Sequence, residues 1–159
     1  MAVRRSLFDR IGLFSSRLGR TGKRLLGQEV PELLARARTA GARGLYVPEM
    51  IVDHHVPASR LKKSYFRRWW YGKGISREEL ERLQPVNELG IDLSRAKQLF
   101  GMPRYMVRMA LTDLVGWIAC GVTMRRSDQF AHEARLCFLA GYAAARRQSM
   151  RTWRAALAR

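Results

Sequence analysis

Acidic residues are scarce in this chain. Thirteen Asp and Glu face thirty Lys and Arg among 159 residues, which leaves a formal net charge of +17. That imbalance, carried mostly by arginine, attracts phosphate groups on nucleic acid, anionic lipid or a nucleotide, and does not by itself choose among them. Cysteine is almost absent. Cys120 and Cys137 lie in apolar stretches without CxxC spacing, which favours two buried thiols in a reducing compartment over a disulfide. Long hydrophobic runs are missing as well. The most apolar stretch, Met109 to Val122, contains Thr112 and Asp113 and falls short of the roughly 20 residues a bilayer-spanning helix needs. Arg4, Arg5, Asp9 and Arg10 interrupt any apolar run at the start, so neither a secretory signal nor a transmembrane helix is expected. Internal repeats and low-complexity tracts are also lacking.

What is present is enough for an ordinary domain. An apolar share of 47% is that of a globular chain, and the length suffices for a real core. Leu7, Phe8 and Ile11 suit one face of a short helix that Gly12 ends. Pro31, with Glu32 in the first turn, opens a second helix carrying Leu33, Leu34, Ala37 and Ala40, and Gly41 stops it. Leu45–Val47 and Met50–His55 read as two short strands separated by Pro48. A helix from Ala58-Ser59 is expected to run to Gly72 and Gly74, and Ser76 with Glu79 forms a capping-box pattern for a brief helix ended by Pro85. Beyond Gly90 only helices are expected. One starts at Pro103, and one is capped by Ser127 or Asp128. The expected class is α/β, a mixed segment over 1–86 followed by a helical appendage over 87–159, with a soft boundary between Gln84 and Asp92.

Several short motifs occur in a telling order. Gly27-Gln28-Glu29-Val30-Pro31-Glu32-Leu33-Leu34-Ala35-Arg36 resembles the G-x-E-D-x-E-L-x-x-R box of family 2 glycosyltransferases. Gly41, Tyr46-Val47-Pro48 and Val52-Asp53-His54-His55-Val56 are similar to the stretch that follows that box in the family. Upstream, Arg4-Arg5, Phe8, Gly12 and Phe14 resemble its R-R-x-x-F…G-x-F run, and Tyr65-Phe66-Arg67-Arg68-Trp69 is similar to its Q-x-x-R-W box with Tyr65 in place of Gln. Together they span the first half of the chain. The resemblance implies a GT-A-type fold and an inverting transfer of sugar from a nucleotide donor to a glycan or lipid-linked acceptor in envelope polysaccharide assembly. It also implies a divalent metal, Mg or Mn, and a place at the cytoplasmic face of a membrane, with an anionic membrane surface as a further partner.

Two departures matter. No two Asp residues stand two apart, so the metal- and donor-binding signature of the family is missing, and this chain is expected to be an acceptor-side part with little activity alone. Val30 stands where the family carries its catalytic Asp. Inverting transfer needs a carboxylate to take the acceptor proton and positive charge on the departing diphosphate. Glu29, at the mouth of the Pro31 helix, is the candidate base, with plain helix capping as its other role. By resemblance, Arg68 and His54 would contact the donor diphosphate, His54 also its metal, and Trp69 and Tyr65 the acceptor. Against these stand simpler fates: a hydrogen-bonded strand-end histidine, and a helix with an aromatic core face and solvated cations.

Two other functions compete. Arg60, Lys62, Lys63, Arg67 and Arg68 interleaved with Tyr65, Phe66, Trp69, Trp70 and Tyr71 would equally suit a single-stranded nucleic-acid module. Basic residues Arg104, Arg108, Arg125, Arg126, Arg135, Arg146 and Arg147 flanking the late apolar faces would suit a non-catalytic adaptor at a membrane surface, although packing is expected to cover most of those faces.

Overall fold

The computed structural model describes residues 2–20, 22, 25–84 and 95–157, with side chains described through Arg151. Its elements are α1 (Arg5–Ile11), α2 (Glu29–Thr39), a 3-10 turn (Ala58–Leu61), α3 (Lys63–Leu83), β1 (Gln98–Leu99), β2 (Met102–Pro103), α4 (Arg104–Val122) and α5 (Arg126–Leu157). The α/β expectation, and with it the GT-A-type fold, is therefore corrected. The described residues are mostly helical, and their sheet is a two-residue antiparallel pair, Gln98 with Pro103 and Leu99 with Met102.

The expected strands fail for a physical reason. Leu45–Val47 and Met50–His55 have strand-forming side chains, but a strand is stable only when a neighbour completes its ladder and covers one face. Among the described residues the backbone here makes only the local turn bonds Met50 N–H to Val47 O (3.1 Å) and Ile51 N–H to Glu49 O (2.9 Å). Leu45, Tyr46, Ile51 and Val52 stay in solvent.

Residues Lys63 to Leu83 form one helix rather than two. Gly72 and Gly74 do not end it, because both are contact positions. A Cβ on Gly72 would collide with the Leu25 backbone, and one on Gly74 with the backbone of Phe138 and Tyr142 on α5. Gly141 reciprocates against the backbone of Tyr71. A mid-helix glycine costs about 1 kcal/mol relative to alanine, which the close approach offsets. Ser76 is accordingly no N-cap. Its hydroxyl donates to Gly72 O at 2.8 Å and accepts from Gly27 N–H at 3.0 Å, which fastens the loop before α2 onto α3.

α3 and α5 run parallel. Phe66 meets Phe130, Arg67 pairs with Glu133 at 2.6 Å, and Ser149 donates to Glu78 at 3.1 Å, in ascending order along both helices. α4 folds back along α5 through a turn in which Met124 takes a φ of 57°. Met106, Leu139 and Tyr142 form the core, with Met102, Ala110 and Phe138 packed on it. The soft boundary between Gln84 and Asp92 falls largely outside the described residues, and α3 before it packs against α5 after it, with Gly74 on the Tyr142 backbone and Glu81 accepting from the Tyr142 hydroxyl.

The two helices at the start end where their sequence suggests, but α2 begins at Glu29, two residues before the expected start at Pro31. Gly12 ends α1 with a φ of 79°, and Gly41 follows α2 with a φ of 75°. Arg36 joins the two. It pairs with buried Glu32 at 2.6 Å and donates to the carbonyls of Ile11 and, at 2.8 Å, Leu13, satisfying acceptors that the end of α1 leaves open. The hydrogen bond with Glu32 raises the Arg36 pKa further.

α4 is longer than the apolar stretch starting at Met109, because the helix begins at Arg104. At 19 residues and a mean hydropathy of 1.3 it is long and apolar enough, by length and composition, to cross a membrane, which corrects the expectation that no helix here would be. Its buried positions recur every seven residues, Met106, Asp113 and Cys120, and face α5. The opposite face is uncovered: Leu111 is 60%, Val115 66%, Ile118 52% and Val122 79% exposed. The expectation that packing would cover most of the late apolar faces does not hold for this one.

Candidate functional site: a basic cleft where α2, α3, α4 and α5 meet

The sequence-predicted site residues are spread over three settings. Glu29 is the first residue of α2, half-buried, with its side chain against Gly19 and Gly27. Its carboxylate makes no hydrogen bond among the described residues, in contrast to Glu32, whose carboxylate is committed to Arg36. His54 lies in the exposed segment 45–56 and makes no polar contact among the described residues. Arg68 is exposed on α3, beside Arg67, which is tied to Glu133. Trp69 packs edge-on against Trp70 at 5.5 Å, and Tyr65 accepts a long hydrogen bond from Arg20 at 3.5 Å. Tyr65, Arg68 and Trp69 share α3, whereas no hydrogen bond, ion pair or ring contact joins Glu29, His54 and Arg68. Among the described residues no three His, Cys, Asp or Glu gather to hold a metal ion, so the divalent cation implied by the resemblance finds no ligand set there.

A cleft of about 230 Å³ opens beside the start of α2. Gln28, Lys73, Arg77 and Tyr105 give it a polar wall, and Met106, Met109 and Phe138 an apolar one. Gln28 adopts a left-handed backbone with a φ of 74° immediately before Glu29, which brings the amino terminus of α2 to the rim. Lys73 is held in place by aromatic faces. Its ammonium lies 4.8 Å from the Trp70 ring centre and 5.2 Å from that of Trp69. Such cation–π contacts fix the charge without neutralising it. Arg77 is bonded to Glu81 at 2.9 Å, and Glu81 accepts from the buried Tyr142 hydroxyl at 2.7 Å. Burial raises the Tyr105 pKa, and the nearby Glu81 charge adds to it, so the phenol remains a hydrogen-bond donor.

Sequence reasoning missed this cleft because its walls come from four elements. One signal was available: Lys73 stands between Gly72 and Gly74, the two residues that let α3 approach its neighbours most closely. A second polar cluster was also unforeseen. Asp113, buried on the inner face of α4, accepts from Arg135 Nε at 2.7 Å, and His132 Nδ1 lies 2.8 Å from the same oxygen. Burial works to raise the Asp113 pKa, but the hydrogen bonds from Arg135 and His132 outweigh it and hold the group below its ordinary value. Glu78 shows the opposite balance. Burial raises its pKa, and the Ser149 hydrogen bond only partly offsets that. Both clusters lie between helices and hold them together.

Comparison with family models, curated proteins and solved structures finds no match to this chain.

Proposed function

We propose that this chain is the acceptor-side part of a glycosyltransferase that works against an anionic membrane surface, with the nucleotide-sugar site supplied outside these residues. The observation that carries this is the ordered run of motifs from Gly27 to Trp69, in which Glu29 stands at the amino terminus of a helix with its carboxylate unspent. A base must be free to take a proton. The roles that the motifs imply are Glu29 as base for the acceptor hydroxyl, Arg68 as cation for the diphosphate of a donor held elsewhere, and Trp69 and Tyr65 as acceptor contacts. Glu29 and Arg68 make no contact with each other here, so the donor must bring their surroundings together.

The membrane part of the proposal is supported by α4. Each of Leu111, Val115, Ile118 and Val122 would gain roughly 1–2 kcal/mol on leaving water. Arg104 and Arg108 at one end of the helix, and Arg125 and Arg126 at the other, match anionic headgroups. The helix would lie in the interface rather than span. α5 runs alongside with Asp128, Glu133 and Arg135, and carrying each of these to the bilayer centre costs about 2.5–3.5 kcal/mol.

A nucleic-acid role is less well supported. The aromatic side chains Phe66 and Trp70, which could stack on bases, are spent on Phe130 and Phe138 of α5.

The test is genetic. Cells lacking the gene should lose a surface or lipid-linked glycan, the wild-type gene should restore it, and Glu29→Gln should not at equal protein level. Unchanged glycans in the deletion, or full restoration by Glu29→Gln, would overturn the proposal. If those results came with steeply salt-dependent oligonucleotide binding, a nucleic-acid role would replace it.

A further inference from the structure

We infer that the cleft between α3 and α4 binds a single anionic amphiphile: a phosphate head on a hydrocarbon chain. This goes beyond the transferase proposal and does not depend on it, since it concerns binding to the purified chain without sugar.

The cleft is built for two chemistries side by side. On one wall Lys73 presents an ammonium with no carboxylate partner among the described residues, fixed over Trp69 and Trp70 at 5.2 Å and 4.8 Å. Gln28 and Tyr105 line the same space, and the Tyr105 hydroxyl is a neutral donor. A phosphate there would meet a fixed cation and two neutral donors, the combination that makes charge-assisted hydrogen bonds without displacing an existing ion pair. Arg77 is committed to Glu81 and adds to the field rather than to the contacts.

On the other wall Met106, Met109 and Phe138 supply flexible and aromatic surface, which adapts well to a hydrocarbon chain. Tyr105 and Met109 are themselves 44% and 36% exposed, so the cleft opens to the outside along α4. From that mouth a chain would continue toward the uncovered face of Leu111, Val115 and Ile118. A space of about 230 Å³ holds a phosphate head and the first few methylenes, not a whole lipid. The rest of the chain therefore needs the outer face of α4 or a bilayer.

The head could belong to a bilayer phospholipid, a phosphodiester, or to a free single-chain lipid phosphate, a phosphomonoester. The experiment separates them. Binding to the purified chain is followed by tryptophan fluorescence, since Trp69 and Trp70 lie against Lys73. The probes are decyl phosphate, dihexanoyl phosphatidylglycerol, dihexanoyl phosphatidylcholine, decanol and inorganic phosphate, each below its micelle concentration.

The expected result is that decyl phosphate or dihexanoyl phosphatidylglycerol binds at least tenfold more tightly than decanol, inorganic phosphate or the phosphatidylcholine. Preference for the monoester points to a free lipid phosphate, and preference for the diester to a membrane phospholipid. Lys73→Gln should weaken binding about tenfold, and Met109→Asp should weaken it comparably by blocking the chain wall. Arg43→Gln, an exposed cation in the segment after α2, should change it less than twofold. Equal losses in Lys73→Gln and Arg43→Gln would reduce the effect to general surface charge and overturn the site. So would conjugates that bind no better than inorganic phosphate. Circular dichroism of each variant separates a lost site from a lost fold, and Met109→Asp decides the matter if Lys73→Gln does not fold.

Discussion

Gly74 on α3 and Tyr142 on α5 lie so close that a Cβ at position 74 would stand 2.8 Å from the Tyr142 amide nitrogen. The atoms in the way are backbone, which cannot swing aside. Gly74→Ala, and likewise Gly141→Ala against the Tyr71 backbone, should therefore force α3 and α5 apart and cost about 2–3 kcal/mol. At this chain length that lowers the thermal midpoint by several degrees. Gly44→Ala, where a Cβ meets nothing within 4 Å, should stay within about 0.5 kcal/mol of wild type. Thermal unfolding followed at 222 nm compares the three.

The crossing explains how much of the fold was legible in the sequence. α1, α2, α4 and the long final helix announce themselves through apolar periodicity and through Gly12, Gly41 and Pro103 at their ends. α3 hides, because Gly72 and Gly74 look like terminators until α5 and the Leu25 backbone arrive to use the missing side chains. Ser76 and Glu79 mimic a cap for the same reason, while the Ser76 hydroxyl actually links Gly72 and Gly27. The segment 45–56 misleads in the other direction. Its side chains favour a strand, but a strand is a property of two segments, and no described neighbour pairs with it. Of the candidate site, local pattern revealed Glu29 at a helix start. Lys73 with Tyr105 and Met109 needed three dimensions.

The Asp113 cluster makes a pH prediction. Its folded pKa is depressed, so its contribution is fully present above the unfolded value near 4 and is lost as pH falls through the lower folded value. Asp113→Asn should cost about 1–3 kcal/mol at neutral pH, less than a fully buried pair because the Arg135 side chain is 40% exposed. The difference between variant and wild type should shrink as pH drops below 4. Urea unfolding at pH 7, 5 and 3 measures it.

Arg67 and Arg68 are neighbours with different attachments. Arg67→Ala removes the bond to Glu133 at the α3–α5 contact and should lower stability only slightly, because both partners are solvent-accessible. Arg68→Ala breaks no contact and should leave the unfolding midpoint unchanged, yet abolish restoration of the glycan in cells lacking the gene. Restoration by Arg68→Ala at the wild-type level would remove Arg68 from the proposed chemistry.

The outer face of α4 predicts lipid selectivity. The protein should sediment with phosphatidylglycerol vesicles and not with phosphatidylcholine vesicles. Val115→Asp with Ile118→Asp should reduce the bound fraction at least tenfold while the helical signal is kept, since both side chains point away from the core. Raised salt should weaken binding only partly, because the apolar share of the interaction is not screened.

The central claim is sugar transfer at a membrane, and the most direct measurement is made on membranes. Membranes from cells carrying the wild-type gene, its Glu29→Gln variant or no copy are incubated with a panel of radiolabelled nucleotide sugars. Label is then followed into the glycan and lipid-extractable fractions. The predicted result is incorporation from at least one donor with the wild-type gene, and loss of that incorporation with both the variant and the deletion. Equal incorporation in all three membranes would contradict it.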